Sequence, residues 1–504
     1  MHSAEAGRSV DWVAKAGALR IHIRNFIGGR LLAGEGAEIL HKSSPRDGRE
    51  LYSFAVGSQQ DVESAVAMAR RAFVDGRWSR LPADRRSEVL YRLAALLAEH
   101  AEEFALLESL DTGKPIKDAV TFDVPRASAT FRFSAAAGDK IAGQVYGVDA
   151  NSLSYQTRRP LGVVGGIIGW NFPLVLAAEK IGPALVTGNS LVLKPSELTS
   201  LSAARLAELA LEAGVPEGVL NVIHGGPQVG AALARHQDVD MITFTGSSRT
   251  GKLLLVAAGE SNMKRLMLEC GGKAPNIVFR DAPDLAAVAD GIVARAFWNQ
   301  GQVCTASSRL LVQEGVRDEL LRLVIERASA LHPGDPLREQ TSYGALVSSG
   351  HREKVLGYIA SGEHEGARAI YRASTSDPLA GGFYVAPVIF DQVSMTQRIA
   401  QEEVFGPVLS VLAFRDEEEA ARIANSTIYG LSAILWTRDL GRAHRLSQSI
   451  DAGWIVVNAT ASPAGGPGPG VLSIGGHKQS GIGVEGGVDG LKAYTRESAI
   501  QLFV

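Results

Sequence analysis

Between Asp61 and Leu110 apolar side chains return every third or fourth position with charges between them, most clearly in Ser87-Glu-Val-Leu-Tyr-Arg-Leu-Ala-Ala-Leu-Leu-Ala-Glu99. That period puts the apolar groups on one side of a helix, so the segment is predicted to be largely helical. Asp111-Thr-Gly-Lys-Pro115 reads as its stop and turn. After Leu161 the rhythm changes. Short apolar runs at Gly162–Ile168, Ser190–Leu193, Val219–Ile223 and Met241–Phe244 alternate with amphipathic stretches such as Ser200–Ala213. This alternation predicts a parallel sheet with helices on both faces, a layout that binds ligands at the carboxyl ends of its strands.

The alternation resumes after Pro275. Strands are expected at Asn276–Phe279, Arg309–Val312, Val408–Leu412, Ser432–Trp436 and Trp454–Val457. Helices are expected at Asp318–Ala330, Arg352–Ser361, Glu417–Ile423 and Leu440–Ser449. The fold class is therefore α/β, with a second sheet unit following the first. Ala459–Gly476, rich in glycine and proline, reads as a loop.

Composition narrows the function classes. The chain has 504 residues, enough for two or three domains. Its net charge of −3 is interspersed, so neither a nucleic acid nor an anionic membrane is expected as partner. No apolar run reaches the ~18 residues that span a bilayer, and Met1–Arg24 carries no signal-peptide core. The expected compartment is the cytoplasm. With two cysteines, Cys270 and Cys304, a disulfide framework is not expected. Without a CxxC pair or an HExxH helix, no metal site is expected either.

One cysteine stands in unusual company. Cys304 lies in Trp298-Asn-Gln-Gly-Gln-Val-Cys-Thr-Ala-Ser-Ser308, among small and polar residues before a predicted strand. Two readings are open: a buried structural thiol, or a nucleophile that attacks an aldehyde, gives up a hydride to a cofactor and leaves a thioester for water. Glu269, at the end of the apolar run Leu266-Met-Leu and before two glycines, is either a solvated strand-end carboxylate or a desolvated general base. Cys270 points to the opposite face and reads as core. Asn171, in Trp170-Asn-Phe-Pro173, carries an amide suited to an oxyanion.

Other segments suit a dinucleotide. Lys194-Pro-Ser-Glu197 ends a predicted strand, where a carboxylate can accept from ribose hydroxyls. Glu197 there repels a 2′-phosphate and favours NAD over NADP. Phe244-Thr-Gly-Ser-Ser-Arg-Thr-Gly251 places small residues at a helix start, where backbone N–H groups reach a phosphate. No GxGxxG lies at a strand–helix turn. Glu402-Glu-Val-Phe-Gly-Pro407 sets Glu403 and Phe405 beside a Gly-Pro turn.

Taken together, the segments Trp170-Asn-Phe-Pro, Lys194-Pro-Ser-Glu, Phe244-Thr-Gly-Ser, Glu269-x-Gly-Gly-Lys, Gly301-Gln-x-Cys and Glu403-x-Phe-Gly-Pro resemble the aldehyde dehydrogenase superfamily, in its order and over about Phe26–Tyr494. Leu107–Ile116, Gly259–Arg265 and Trp436–Arg445 make the chain most similar to its bacterial members acting on γ-glutamylamino-butanal and related aminoaldehydes.

The resemblance implies Cys304 as nucleophile, Glu269 as base for thioester hydrolysis, and Asn171 with the Cys304 N–H as oxyanion hole. It implies NAD contacts from Ile168, Trp170, Lys194, Glu197, Gly246, Ser247, Gly271, Glu403 and Phe405. Substrate contacts are implied for Phe172, Glu179, Trp298, Val303 and Thr305. It further implies two Rossmann-like parallel-sheet domains and a small oligomerisation arm, assembled as a homodimer or homotetramer. The dinucleotide-binding domain takes residues 1–140 and 161–269, the catalytic domain 270–486, and the arm 141–160 and 487–504.

Four positions depart from the family. Gly169 replaces a proline, Val484 an arginine and Ile474 a phenylalanine, and nothing in the sequence explains Val484. Glu179 stands where relatives carry a tunnel tryptophan. It stands open as a wider tunnel, a lure for a cationic substrate, or a carboxylate paired with Lys180. Two rival functions are a CoA-acylating dehydrogenase and a catalytically silent binding protein on the same fold.

Overall fold

The structure, a computed structural model, describes residues 10–20, 22–34, 36, 38–147, 151–374, 378–458 and 472–503. The expected loop Ala459–Gly476 falls mostly outside these residues. The helical stretch after Asp61 is three helices, Gln59–Val74, Ala83–Glu99 and Ala101–Thr112. Ser58 starts the first with a capping box shared with Asp61. Gly113, at φ 81°, ends the third in the left-handed region. Its successor is a short helix, Ile116–Asp118, then a π-helical turn, Ala119–Asp123, running into the helix Val124–Ala137.

Two sheets follow from the two alternating regions. In the first, five parallel strands lie in the order Leu220–Val222, Ser190–Lys194, Val163–Ile167, Met241–Thr245, Arg265–Glu269. Asn25–Ile27 and Arg30–Leu32 extend it antiparallel at one edge, and Gly481–Ile482 at the other. The central strands Val163–Ile167 and Ser190–Lys194 are buried throughout, as their continuous apolar runs require when helices cover both faces.

The second sheet has seven strands in the order Arg368–Arg372, Val388–Asp391, Val408–Phe414, Arg309–Gln313, Pro275–Val278, Ser432–Trp436, Trp454–Val457. All pairs are parallel except the first. Strands Arg368–Arg372 and Val388–Asp391 gave no sequence signal. The former alternates polar and apolar groups weakly, and the latter is only four residues long.

A three-stranded antiparallel sheet joins Gln144–Tyr146, Ser152–Pro160 and Thr495–Phe503. Its last strand begins later than 487, because Gly487–Ala493 forms a helix first.

Candidate functional site

Strand register brings the first sheet's groups level. Ile167 lies opposite Lys194 on one side and Phe244 on the other, and Thr245 lies opposite Glu269. Ile168, Lys194, Gly246 and Glu269 therefore share one carboxyl-end edge. In the second sheet it is the amino ends that matter. Pro275 lies opposite Arg309, Arg309 opposite Ser410, and Val388 opposite Val408. The loops that lead into these strands carry Gly271, Cys304 and Glu403. The chain passes from Glu269 to Pro275 directly, so the two edges meet.

Hydrogen bonds join the edges. Asn171 Nδ2 donates to the Gln302 carbonyl at 3.0 Å, and Asn299 Nδ2 donates to the Asn171 carbonyl at 3.1 Å. An amide nitrogen carries two hydrogens, so Asn171 retains a second donor. The Gly272 N–H donates to Glu403 Oε1 at 2.9 Å. Ser480 Oγ donates to the Gly271 carbonyl at 2.7 Å. A side chain at 271 would displace the end of the flexible Glu403 side chain, whereas one at 272 would meet backbone, so glycine is required at 272. A Cβ would lie 2.4 Å from Glu403 Oε2 at the first and 2.4 Å from the Cys304 carbonyl oxygen at the second.

The approach to Cys304 is a tight turn. Asn299, Gln300 and Gly301 take φ of 49°, 56° and 72°, three consecutive left-handed residues of which two carry side chains. Val303, Cys304 and Thr305 are then each partly exposed, unlike the buried Gly301 and Gln302 before them.

Electrostatics set the resting protonation. Burial pushes the Cys304 thiol up to about 12, reinforced by the charges of Glu403, Glu269 and Glu179 and opposed by the Thr305 N–H. Burial also holds Glu269 well above the usual carboxylate range. Glu485 and Glu179 add to this and Lys180 opposes it. Glu269 Oε1 has no hydrogen-bond partner. Glu403 is raised by burial, against the Gly272 N–H and the charges of Lys354 and Lys273.

The dinucleotide candidates lie on the first edge. Lys194 Nζ holds Glu197 Oε2 at 3.1 Å. Ser247 caps the helix Ser248–Gly259, its Oγ accepting from the Thr250 N–H at 3.2 Å. The Trp170 and Phe405 rings meet edge to face at 5.1 Å.

Phe172 and Trp298 lie 5.2 Å apart between ring centroids. Glu179 does not pair with Lys180, which binds Glu485. It instead faces Arg126 at 3.9 Å, and burial with the Glu485 charge pushes it up to about 7.

Three contributors escaped sequence reasoning. Phe122 stands 4.7 Å from Trp298 and 5.9 Å from Phe172, completing a triangle of rings. Asp118, pushed up to about 6 by burial and the Asp123 charge, lies on the same side. His351 packs on Trp170 at 4.9 Å and bonds the Phe405 carbonyl at 2.7 Å. Burial pulls it down to about 4, so it is neutral at pH 7. Nothing near it in sequence marks it out.

A thiol and a desolvated carboxylate that influence each other electrostatically where two sheets meet suit an aldehyde dehydrogenase, and the chain belongs to that family. Residues 32–500 match the aldehyde dehydrogenase family.

The chain is 44% identical over 490 residues to the NADP/NAD-dependent aldehyde dehydrogenase PuuC of Escherichia coli (strain K12), covering 97% of each. It is 45% identical over 475 residues to an aminoacetaldehyde dehydrogenase of Pseudomonas aeruginosa, covering 94% of each. A crystal structure of a P. syringae indole-3-acetaldehyde dehydrogenase variant with NAD+ and IAA superposes with a TM-score of 0.95 at 46% identity. That match covers 98% of this chain and 99% of the other.

Proposed function

We propose that this aldehyde dehydrogenase oxidises its aldehyde to the carboxylic acid through a thioester on Cys304, with Glu269 as base and NAD as the preferred oxidant. The convergence of the Cys304 loop and the unpartnered Glu269 carboxyl on one sheet junction carries the reading. Sγ, having lost its proton to solvent, attacks the aldehyde carbon as the thiolate. The free hydrogen of Asn171 Nδ2 and the Cys304 N–H receive the developing oxyanion. Loss of the hydride leaves the thioester, and Glu269 then takes a proton from the water that hydrolyses it. Replacing Asn171 by alanine should lower kcat about 10²–10³-fold, measured as NADH formation at saturating aldehyde; kcat within twofold of wild type removes the oxyanion role.

NAD, when bound, accepts the hydride. The residues present fit it. Glu197 is half-buried, and beyond its single bond to Lys194 it keeps lone pairs for ribose hydroxyls. Gly246 and Ser247 open a helix whose first N–H groups suit a pyrophosphate. Glu403, fixed on the Gly272 N–H, together with Phe405, Trp170, Ile168 and Gly271, suits the nicotinamide end. The Glu197 carboxylate disfavours a 2′-phosphate. Phe172, Trp298, Val303, Thr305 and Glu179 are the substrate contacts.

The three-stranded sheet, with Leu502 and Phe503 exposed at its end, is the oligomerisation arm of a homodimer or homotetramer. Among the described residues no helix is long and apolar enough to cross a membrane. We place the enzyme in the cytoplasm.

Product analysis with an aldehyde and either NAD or NADP tests the reading. One carboxylic acid per NADH, without CoA and with higher kcat/KM for NAD, is expected. A CoA-thioester formed only when CoA is added would make it the acylating enzyme instead.

A further inference from the structure

The turn that ends the helix Ala101–Thr112 carries a side chain the chemistry above leaves unused. Lys114 is 1% exposed, and its ammonium lies 4.2 Å from the centre of the Phe172 ring, over its face. The same nitrogen donates to both oxygens of Asp123, at 3.0 and 2.9 Å. Asp123 is equally buried and closes the π-helical turn, directly after Phe122. Glu108, 4.0 Å from the ammonium, accepts from the Leu174 N–H at 3.1 Å and from the Ser202 hydroxyl. Leu174 lies two residues beyond Phe172, in the first turn of the helix Pro173–Val186.

A buried ammonium is costly unless its charge is met. Here the Asp123 carboxylate in contact, the Glu108 carboxyl at 4.0 Å and one ring face share that task. The attraction of a cation to a ring acts along the ring normal, so it fixes the plane of Phe172 as well as filling space. Through Asp123 the same cation fixes the turn that carries Phe122. Phe172, Phe122 and Trp298 make the ring triangle, so two of its three rings are tied to one atom.

We propose that Lys114 is a positioning residue for substrate specificity, holding Phe172 and the Phe122 turn to a single buried cation and so shaping the aldehyde pocket for bulky tails. This rests on the reading of Phe172 and Trp298 as pocket walls.

The test is steady-state kinetics of Lys114→Met/Asp123→Leu with propanal and with phenylacetaldehyde. This pair of changes removes the cation together with the carboxylate it holds most closely, while Glu108, pushed up to about 8 by burial, keeps its Leu174 and Ser202 donors. The KM for phenylacetaldehyde should rise about tenfold or more while that for propanal changes little. The KM for NAD should stay at its wild-type value. Lys114→Arg keeps a cation able to stack on the ring and should retain the preference.

A purely structural lysine would lower the thermal midpoint and leave the ratio of the two KM values unchanged, and that outcome overturns the proposal. Should the paired variant not fold, Asp123→Asn carries the test. It is isosteric and weakens the clamp, so the ratio should shift the same way by less, and an unchanged ratio again overturns the proposal. Absence of NADH from either aldehyde with the wild-type enzyme would count against the dehydrogenase reading itself, a result distinct from an unaltered ratio.

Discussion

Cys304→Ala should abolish NADH formation, by on the order of 10⁴-fold or more, while NAD affinity changes by less than about twofold. The substitution removes only Sγ from a loop whose backbone is held by Asn171, Asn299 and the packing of Gly272 against the Cys304 carbonyl. The candidate ribose and pyrophosphate groups, Lys194, Glu197, Gly246 and Ser247, lie on the other sheet edge, so titration of NAD binding by fluorescence should be nearly unaffected. Substantial turnover in this variant would end the mechanism.

The thiol's environment adds a pH signature. With its pKa pushed up to about 12, only on the order of 10⁻⁴ of the cofactor-free thiol is ionised at pH 8. The sign is clear: below that pKa each unit of pH rise multiplies the thiolate about tenfold. Alkylation of Cys304 by iodoacetamide should therefore climb steeply between pH 7 and 10 in the protein without nucleotide. A plateau reached near pH 7 would show that burial and the three neighbouring carboxylates do not govern the thiol.

Glu269→Gln should separate the two halves of the reaction. Gln cannot take a proton from water, so a first turnover of NADH should be followed by a steady state about 10²–10⁴-fold slower, with the acyl group retained on the protein. Rapid-mixing absorbance and intact-protein mass would read these two features together. The wild-type carboxyl is held above its usual range by burial and by Glu485 and Glu179. Its active, ionised form therefore grows as pH rises, and so should the deacylation rate. That dependence should disappear in the Gln variant. Unchanged turnover would assign water activation to another group.

Much of this arrangement was legible in the sequence. Ser432–Trp436 and Trp454–Val457 are strands where the apolar runs place them, and Leu440–Ser449 is a helix where its period does. Cys304, Glu269 and Asn171 could be singled out because the segments that carry them together resemble one family's motifs, each segment alone being open to a bland reading. Phe122 and Asp123 were not legible, for a physical reason. Periodicity assumes 3.6 residues per turn, and the π-helical turn Ala119–Asp123 holds more, which rotates Phe122 and Asp123 onto faces a regular helix gives to other residues. Nor does spacing reveal that Lys180 chooses Glu485 over its neighbour Glu179, because that partner arrives from 305 residues away.

The strand Gly481–Ile482 pairs with Leu268 and Glu269, and Thr495–Phe503 pairs with Ser152–Pro160. A growing polypeptide thus carries Cys304 and Glu269 long before it can complete the sheet beside them. Contacts this distant in sequence form late and slowly. The sheet beside Glu269 is therefore complete only once Gly481–Ile482 has been synthesised, more than two hundred residues later, a delay set by topology.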